Sequence, residues 1–248
     1  MEHNCLNCNH HILDSYCQNC GQKASTHRYS IKHFVEHDFI HGVWHVDKGI
    51  AFTLKELFTR PGHSIREFIQ GKRANYFSFV TLILLIITAS SLLSPYVHIK
   101  LADLMPIQNK SIMNTFEDFA TKYPKVLVLI TIPVNSFFSF IWFRKSRLNY
   151  SENLVLNSYK AASELVIALI FSIFAVFCSN IKILTFFYFW IITPAITIYG
   201  FWYYFQFFSG FGYSKKALFF RSILVIFTYS LFQAIIGFTL GLIQMLRH

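Results

Sequence analysis

The sequence predicts an all-α integral membrane protein, with about five transmembrane helices behind a small polar head. Three observations carry that expectation. Of 248 residues, 54% are hydrophobic and only 14% are charged, against about 25% charged in an ordinary soluble domain. The deficit is uneven: residues 1–76 are polar, basic and rich in histidine, and long apolar runs follow Phe77. Those runs have bilayer length, since a helix needs roughly 20 apolar residues to cross a ~30 Å hydrocarbon core. The chain thus divides into a head over 1–25, a linker of amphipathic juxtamembrane helices over 26–76, and a helical membrane domain over 77–248.

The spans are expected at about 77–97, 125–144, 161–181, 183–208 and 218–245. Phe77–Val97, Val126–Phe143 and Ser222–Met245 carry no charge over 21, 18 and 24 residues. The third span contains Glu164, placed near an interface as an i,i+4 partner of Lys160. Pro194 and Gly200 interrupt the fourth, which membrane helices tolerate. In the second, Pro133 can free a carbonyl near Asn135. Gln206, Gln233 and Gln244 read as amides near interfaces or between helices. Gly237 and Gly241 form a G-x3-G face for a neighbouring helix or a second copy of the chain. The aromatic run over 186–208 reads as belt and packing, or as the wall of a lipid groove. Cys178 reads as a small buried hydrophobe. No pair of ionisable groups is expected in mid-membrane, which weighs against a proton-coupled transporter. Since the first span begins only at residue 77, it does not read as a signal peptide.

Orientation follows from Lys and Arg. With the N-terminus inside, 16 of the 22 fall in 1–76, in 144–160 or at Lys215, Lys216 and Arg221, and six fall outside. This predicts a cytoplasmic N-terminus and a bacterial inner-membrane protein. The formal charge of +10 then suits anionic lipid headgroups at the cytoplasmic rim, and no nucleic-acid partner is expected.

The head holds Cys5, Cys8, Cys17 and Cys20, spaced C-x2-C, eight residues, C-x2-C. Two residues between cysteines let both thiolates of one turn face the same ion, and the eight allow a hairpin that completes a tetrahedron. Gly21 suits the turn after the last ligand. In a reducing cytoplasm the pattern points to Zn2+ rather than disulfides. Four protein ligands make such a zinc structural, and a ribbon this small depends on it to fold. His10 and His11, in the intervening loop, are alternative ligands.

His33, His37, His41 and His45 recur every fourth residue. On a helix they cover one arc, with Ile31, Val35, Phe39, Val43 and Val46 nearly opposite. An amphipathic helix at a membrane surface explains the stripe. Rival readings are a second metal site at His33, His37 and His41, a pH-responsive surface, or a metalloenzyme. The last rests on H-x-x-E-H at His33, Glu36 and His37, and on an H-E-x-x-H-like run with Asp38 between His37 and His41. No third ligand stands out for a peptidase, and residues 144–160 and 209–217 lack the further histidine boxes of a di-iron oxygenase.

Downstream, Ile50, Leu54, Leu57 and Phe58 form a helical stripe. Pro61–Gly62 is expected to end that helix and turn the chain. Ser64 and Glu67 then suit a capping box for a second helix, with Ile65, Phe68 and Ile69 on one face. Gly71 breaks it, leaving Lys72 and Arg73 as a basic anchor for lipid headgroups. These residues, Cys5, Cys8, Cys17, Cys20, Gly21 and Gln22, then Thr53, Leu54, Leu57, Pro61, Gly62, Ile65, Gly71, Lys72, Arg73 and Tyr76, resemble a bacterial family of membrane proteins catalogued as domain of unknown function 3667. The likeness is specific over about residues 1–80. A later stretch over 148–161 resembles an aromatic–Glu–His loop of that family, with Asn153 where histidine is expected and with Asn157 and Tyr159 in a region often histidine-bearing. That weighs against a metal or proton role there. The resemblance implies an inner-membrane protein and no particular activity.

The leading expectation is therefore a non-enzymatic scaffold or regulator that recruits a protein partner through its ribbon. A small-solute or lipid transporter or channel is the alternative, and a membrane metalloenzyme using His33–His45 a further one.

Overall fold

The computed structural model describes residues 3–26, 29, 49–97, 99, 101–104 and 122–247. Strands β1 (His3–Asn4) and β2 (His11–Ile12) pair antiparallel, with His3 opposite Ile12. Helices α1 (Ile50–Thr59) and α2 (Pro61–Ile69) form a short hairpin. Then come α3 (Phe79–Leu93), α4 (Pro124–Trp142) and α5 (Tyr150–Phe177). Helix α6 (Ile181–Phe187) passes through one π turn, Tyr188–Ile192, into α7 (Thr193–Phe208), and α8 (Lys215–Arg247) closes the chain. The histidine stripe, with its proposed site at His33, His37 and His41, lies outside the described residues. So does the packing of Gly237, Gly241 and Gln244.

Among the described residues, four helical segments are long and apolar enough to cross a membrane: Phe79–Tyr96, Tyr150–Phe177, Ile181–Phe211 and Lys215–Ile236. The apolar part of α4, Val128–Trp142, is shorter. The long helices alternate between two ends. At one, Asn149 Nδ2 donates to Tyr29 O (2.8 Å), and Ser146 N–H donates to Tyr213 Oη (3.0 Å). At the other, Leu104, Ala175 and Leu184 cluster, with Cys178 packed half-buried beside them.

Helix α5 is the central element, touching α1, α2, α3, α4 and α7. It begins eleven residues before the expected third span. Asn149 caps it: Asn149 Oδ1 accepts from Glu152 N–H and Glu152 Oε2 accepts from Asn149 N–H, both at 2.8 Å. This capping box holds two otherwise orphaned N–H groups, so the chain turns helical at Tyr150. Residues 151–160 are all buried. The family-like stretch over 148–161 is thus mostly helix within the protein core, not loop.

Polar groups in that buried half satisfy one another. Ser139 Oγ donates to Asn153 Oδ1 (2.9 Å), Asn157 Nδ2 donates to Ser139 Oγ (3.0 Å), and Tyr204 Oη donates to Asn157 Oδ1 (2.6 Å). A buried polar group without a partner costs about 1–3 kcal/mol, so this network fixes the register of α4, α5 and α7 together. Tyr159 Oη donates to Phe77 O (2.8 Å) and Tyr203 Oη to Leu156 O (2.7 Å), both from fully buried rings.

Pro61 departs from its expected role. It starts α2 instead of ending α1, because its fixed φ and missing N–H suit the first helical position. Arg60 alone makes the break, at φ −147° and ψ 54°. Ser64 is consequently inside α2, where its hydroxyl donates to Glu56 Oε2 (2.6 Å), and Glu67 pairs with Arg60. Helix α2 ends as foreseen at Gly71, φ +113°. Lys72 N–H bonds Glu67 O and Gly71 N–H bonds Phe68 O, the paired closure that a positive φ permits.

Candidate metal centre and helix-bundle cleft

The head folds as two similar knuckles. In the first, Cys5 N–H bonds His10 O and Asn9 N–H bonds Cys5 O; in the second, Cys17 N–H bonds Gln22 O and Gly21 N–H bonds Cys17 O, all at 2.8 Å. The residue after each C-x2-C has positive φ, Asn9 at 60° and Gly21 at 74°. Glycine takes that conformation freely and asparagine readily. Gly21 was foreseen; Asn9 is its counterpart.

These knuckles gather four sulfurs within 4.8 Å of one another. Cys5 and Cys20 lie 3.6 Å apart, Cys8 and Cys17 3.5 Å. A disulfide would need about 2.05 Å. A tetrahedron with metal–sulfur bonds of ~2.3 Å requires about 3.8 Å between sulfurs, so the four cysteines fit a metal ion. Hydrogen bonding from the His10 backbone, then from the Asn19 side chain, draws the Cys8 thiol down to about 6, while burial pushes Cys20 up to about 11. A divalent ion at the centre would hold all four as thiolates. His10 and His11 stand outside the cluster.

The ribbon is docked. Leu6, inside the first knuckle, lies against Gly71, where a Cβ would sit 2.6 Å from Leu6 Cδ1. The buried Gln22 side chain accepts from Arg73 N–H (3.0 Å). Of the two basic residues expected to meet lipid headgroups, Lys72 is exposed. Arg73 turns inward: its guanidinium lies 3.9 Å from the centre of the Tyr29 ring, and Nε donates to Phe68 O (3.2 Å).

The α1–α2 hairpin is in turn clamped to the bundle. Thr53 Oγ1 accepts from Phe77 N–H (2.7 Å), Leu57 O from Tyr199 Oη (3.0 Å), and Gln206 Oε1 from Gly62 N–H (2.8 Å). Arg66 Nη1 donates to Phe207 O (2.9 Å), placing a cation at the negative end of α7. Ile65, Phe68 and Ile69 share one buried face, as expected. At Gly62 a Cβ would collide with the backbone of Gln206 and Phe207. Gly62→Ala is therefore expected to cost about 1–3 kcal/mol, read as a lower Tm of detergent-purified protein. An unchanged Tm would refute the close approach.

His63 Nδ1 and Arg66 Nη2 are 2.5 Å apart. Lost hydration, then the Arg66 and Arg60 guanidiniums, hold His63 below its ordinary range, with Glu67 opposing. The unfolded chain therefore binds the extra proton first as pH falls through ~6.5. Stability is expected to be level above that pH and to decline below it. His63→Gln should flatten the decline in a Tm-against-pH series.

The unexpected feature lies in the bundle. Lys160 Nζ and Glu164 Oε1 are 2.6 Å apart, with side-chain exposures of 7% and 25%. Because α5 starts at Tyr150, Glu164 is halfway along a 28-residue helix, about 21 Å from its start at ~1.5 Å per residue. The i,i+4 pairing was foreseen; the start of its helix was expected at about residue 161 and lies at Tyr150. The N-x-x-E start at Asn149 was the sequence signal that would have moved it.

The pair lines a cleft of about 600 Å³ between α4, α5, α7 and α8. Asn135, Tyr204, Tyr229 and Gln233 add polar groups, and Val128, Leu165, Ile196 and Ile226 apolar wall. Gly200 faces the pair: a Cβ there would lie 3.4 Å from Lys160 Cε and 3.8 Å from Glu164 Oε1. Beside the cleft the helix widens through its π turn, where Thr193 Oγ1 donates to Tyr188 O (3.0 Å). Pro194, lacking an N–H, follows at once, and such turns recur at functional sites.

Residues 47–90 match the family described as "Protein of unknown function (DUF3667)", as the resemblance implied. The matched segment is the α1–α2 hairpin and most of α3. No curated protein and no solved structure matches the chain.

Proposed function

We propose that this is a multi-span inner-membrane protein that binds a small solute or a lipid between its helices, in the manner of a transporter, with a structural zinc ribbon bracing its cytoplasmic end. The observation that carries the reading is the Lys160–Glu164 pair inside a 600 Å³ cleft. Ionisable residues among membrane helices are costly to keep and mark pathways or ligand sites, and the volume lies within the range of small-molecule pockets. Zn2+ is the ion preferred here because four cysteine sulfurs in a closed tetrahedral set suit it.

The test is access. In a Cys178→Ala background, Ser230→Cys is expected to react with a small water-soluble thiol reagent, and a further Gly200→Leu change to suppress the reaction. No labelling of Ser230→Cys, with the labelled peptide sought by mass spectrometry, would refute a solvent-connected cleft.

Partner recruitment through the ribbon is the second reading. Leu6 and Gln22 are already engaged by the hairpin, whereas Leu13 and Tyr16 are 72% and 58% exposed. Loss of a co-purifying protein on Leu13→Ser with Tyr16→Ser, with metal content unchanged, would favour this reading.

A further inference from the structure

Resting on the cleft reading above, we infer that the ligand is zwitterionic: a headgroup with an ammonium for Glu164 and an anionic oxygen for Lys160. The two protein charges cancel, and each is held by the other at 2.6 Å. A ligand with one charge would engage one partner and leave the other unpaired among the helices, and an uncompensated buried charge is strongly destabilising. A ligand with both charges replaces the pair with two new ones. Glu164 is also open to it: Oε1 alone meets Lys160, and among the described residues Oε2 has no hydrogen-bond partner.

The rest of the cleft bears on where that headgroup comes from. By area its walls are mostly apolar, with Val128, Leu165, Ile192, Ile196 and Ile226 among the lining residues. Tyr229 Oη and the Gln233 amide, hydrogen-bonded to each other at 3.0 Å, offer donors at the α8 side. The cleft is far larger than a headgroup alone requires, so the site favours a zwitterion borne on an acyl chain over a free one.

The experiment uses the full chain in a nonionic detergent. Its thermal midpoint is followed against dihexanoyl phosphatidylethanolamine, dihexanoyl phosphatidylglycerol and free phosphoethanolamine. A saturable rise of several degrees with the phosphatidylethanolamine, and at least tenfold weaker apparent affinity for the phosphatidylglycerol, is the expected result. Gly200→Leu, which keeps both charges and fills the space facing them, should abolish the response, and Glu164→Gln should weaken it at least tenfold. A response to phosphoethanolamine equal to that of the lipid would uphold the zwitterion and assign it to a free solute. Equal responses to the two lipids, both lost in Gly200→Leu, would overturn the zwitterion while leaving the cleft as a ligand site. No response to any probe, or one that survives Gly200→Leu, would overturn the inference; only cleft labelling that also fails would remove the ligand-binding reading beneath it.

Discussion

Cys17→Ser is expected to unfold residues 3–26 while leaving the helical bundle inserted. Two two-residue strands and a core of Cys5, Ile12 and Cys17 cannot hold a fold of this size alone. A structural zinc site contributes about 10–16 kcal/mol in comparably small metal-folded peptides. Removing one ligand, or stripping the ion with a chelator, forfeits most of that. The loss should travel no further than the contacts made by the ribbon. Leu6 leaves Gly71, and the Arg73 N–H loses its Gln22 acceptor, so amide exchange at Arg73 should accelerate together with proteolysis near residue 20. Elemental analysis checks the premise: one zinc per wild-type chain, and much less than one in the variant. Zinc held at one per chain in Cys17→Ser would refute the four-cysteine site. Two per chain in the wild type would direct attention to His33, His37 and His41.

The second large effect concerns the cleft. Lys160→Met should cost about 3–5 kcal/mol, the usual consequence of stranding one member of a buried ion pair. Glu164 keeps 25% exposure, which places the expected cost toward the low end of that range. Combining Lys160→Met with Glu164→Gln should restore most of the lost stability, because two neutral groups of similar volume remove the desolvation cost on both sides. The double-mutant cycle is read from denaturation midpoints in detergent. Single variants indistinguishable from wild type would show the pair to be fully solvated and would undercut the cleft as a protected site.

Both predictions rest on features that differ in how openly the sequence states them. The four-cysteine cluster was fully legible, because its members lie within sixteen residues and their spacing is itself the geometry. Four apolar helices of spanning length were legible as well: bilayer thickness acts on composition one segment at a time, and no knowledge of neighbours is needed. Helix starts were partly so. The capping box at Asn149 and Glu152 was present to be read, and Pro61 carried the first-position preference that starts α2.

What the sequence by itself determined, then, is what local chemistry decides: four thiols around one centre, apolar segments of spanning length, and the glycine turn at Gly71. Only the tertiary structure decided where Gly62, Arg73, Gln22 and Lys160 stand. Gly62 is glycine because the backbone of α7 passes beside it, 144 residues downstream. Arg73 is half-buried, with its guanidinium over the Tyr29 ring. Lys160 and Glu164 are an ordinary i,i+4 pair in sequence and become a charged site only because α4, α7 and α8 enclose them. A side chain's covalent identity fixes what it can bond to, but its burial depends on segments far away in the chain, and in a low dielectric burial sets what that bond is worth.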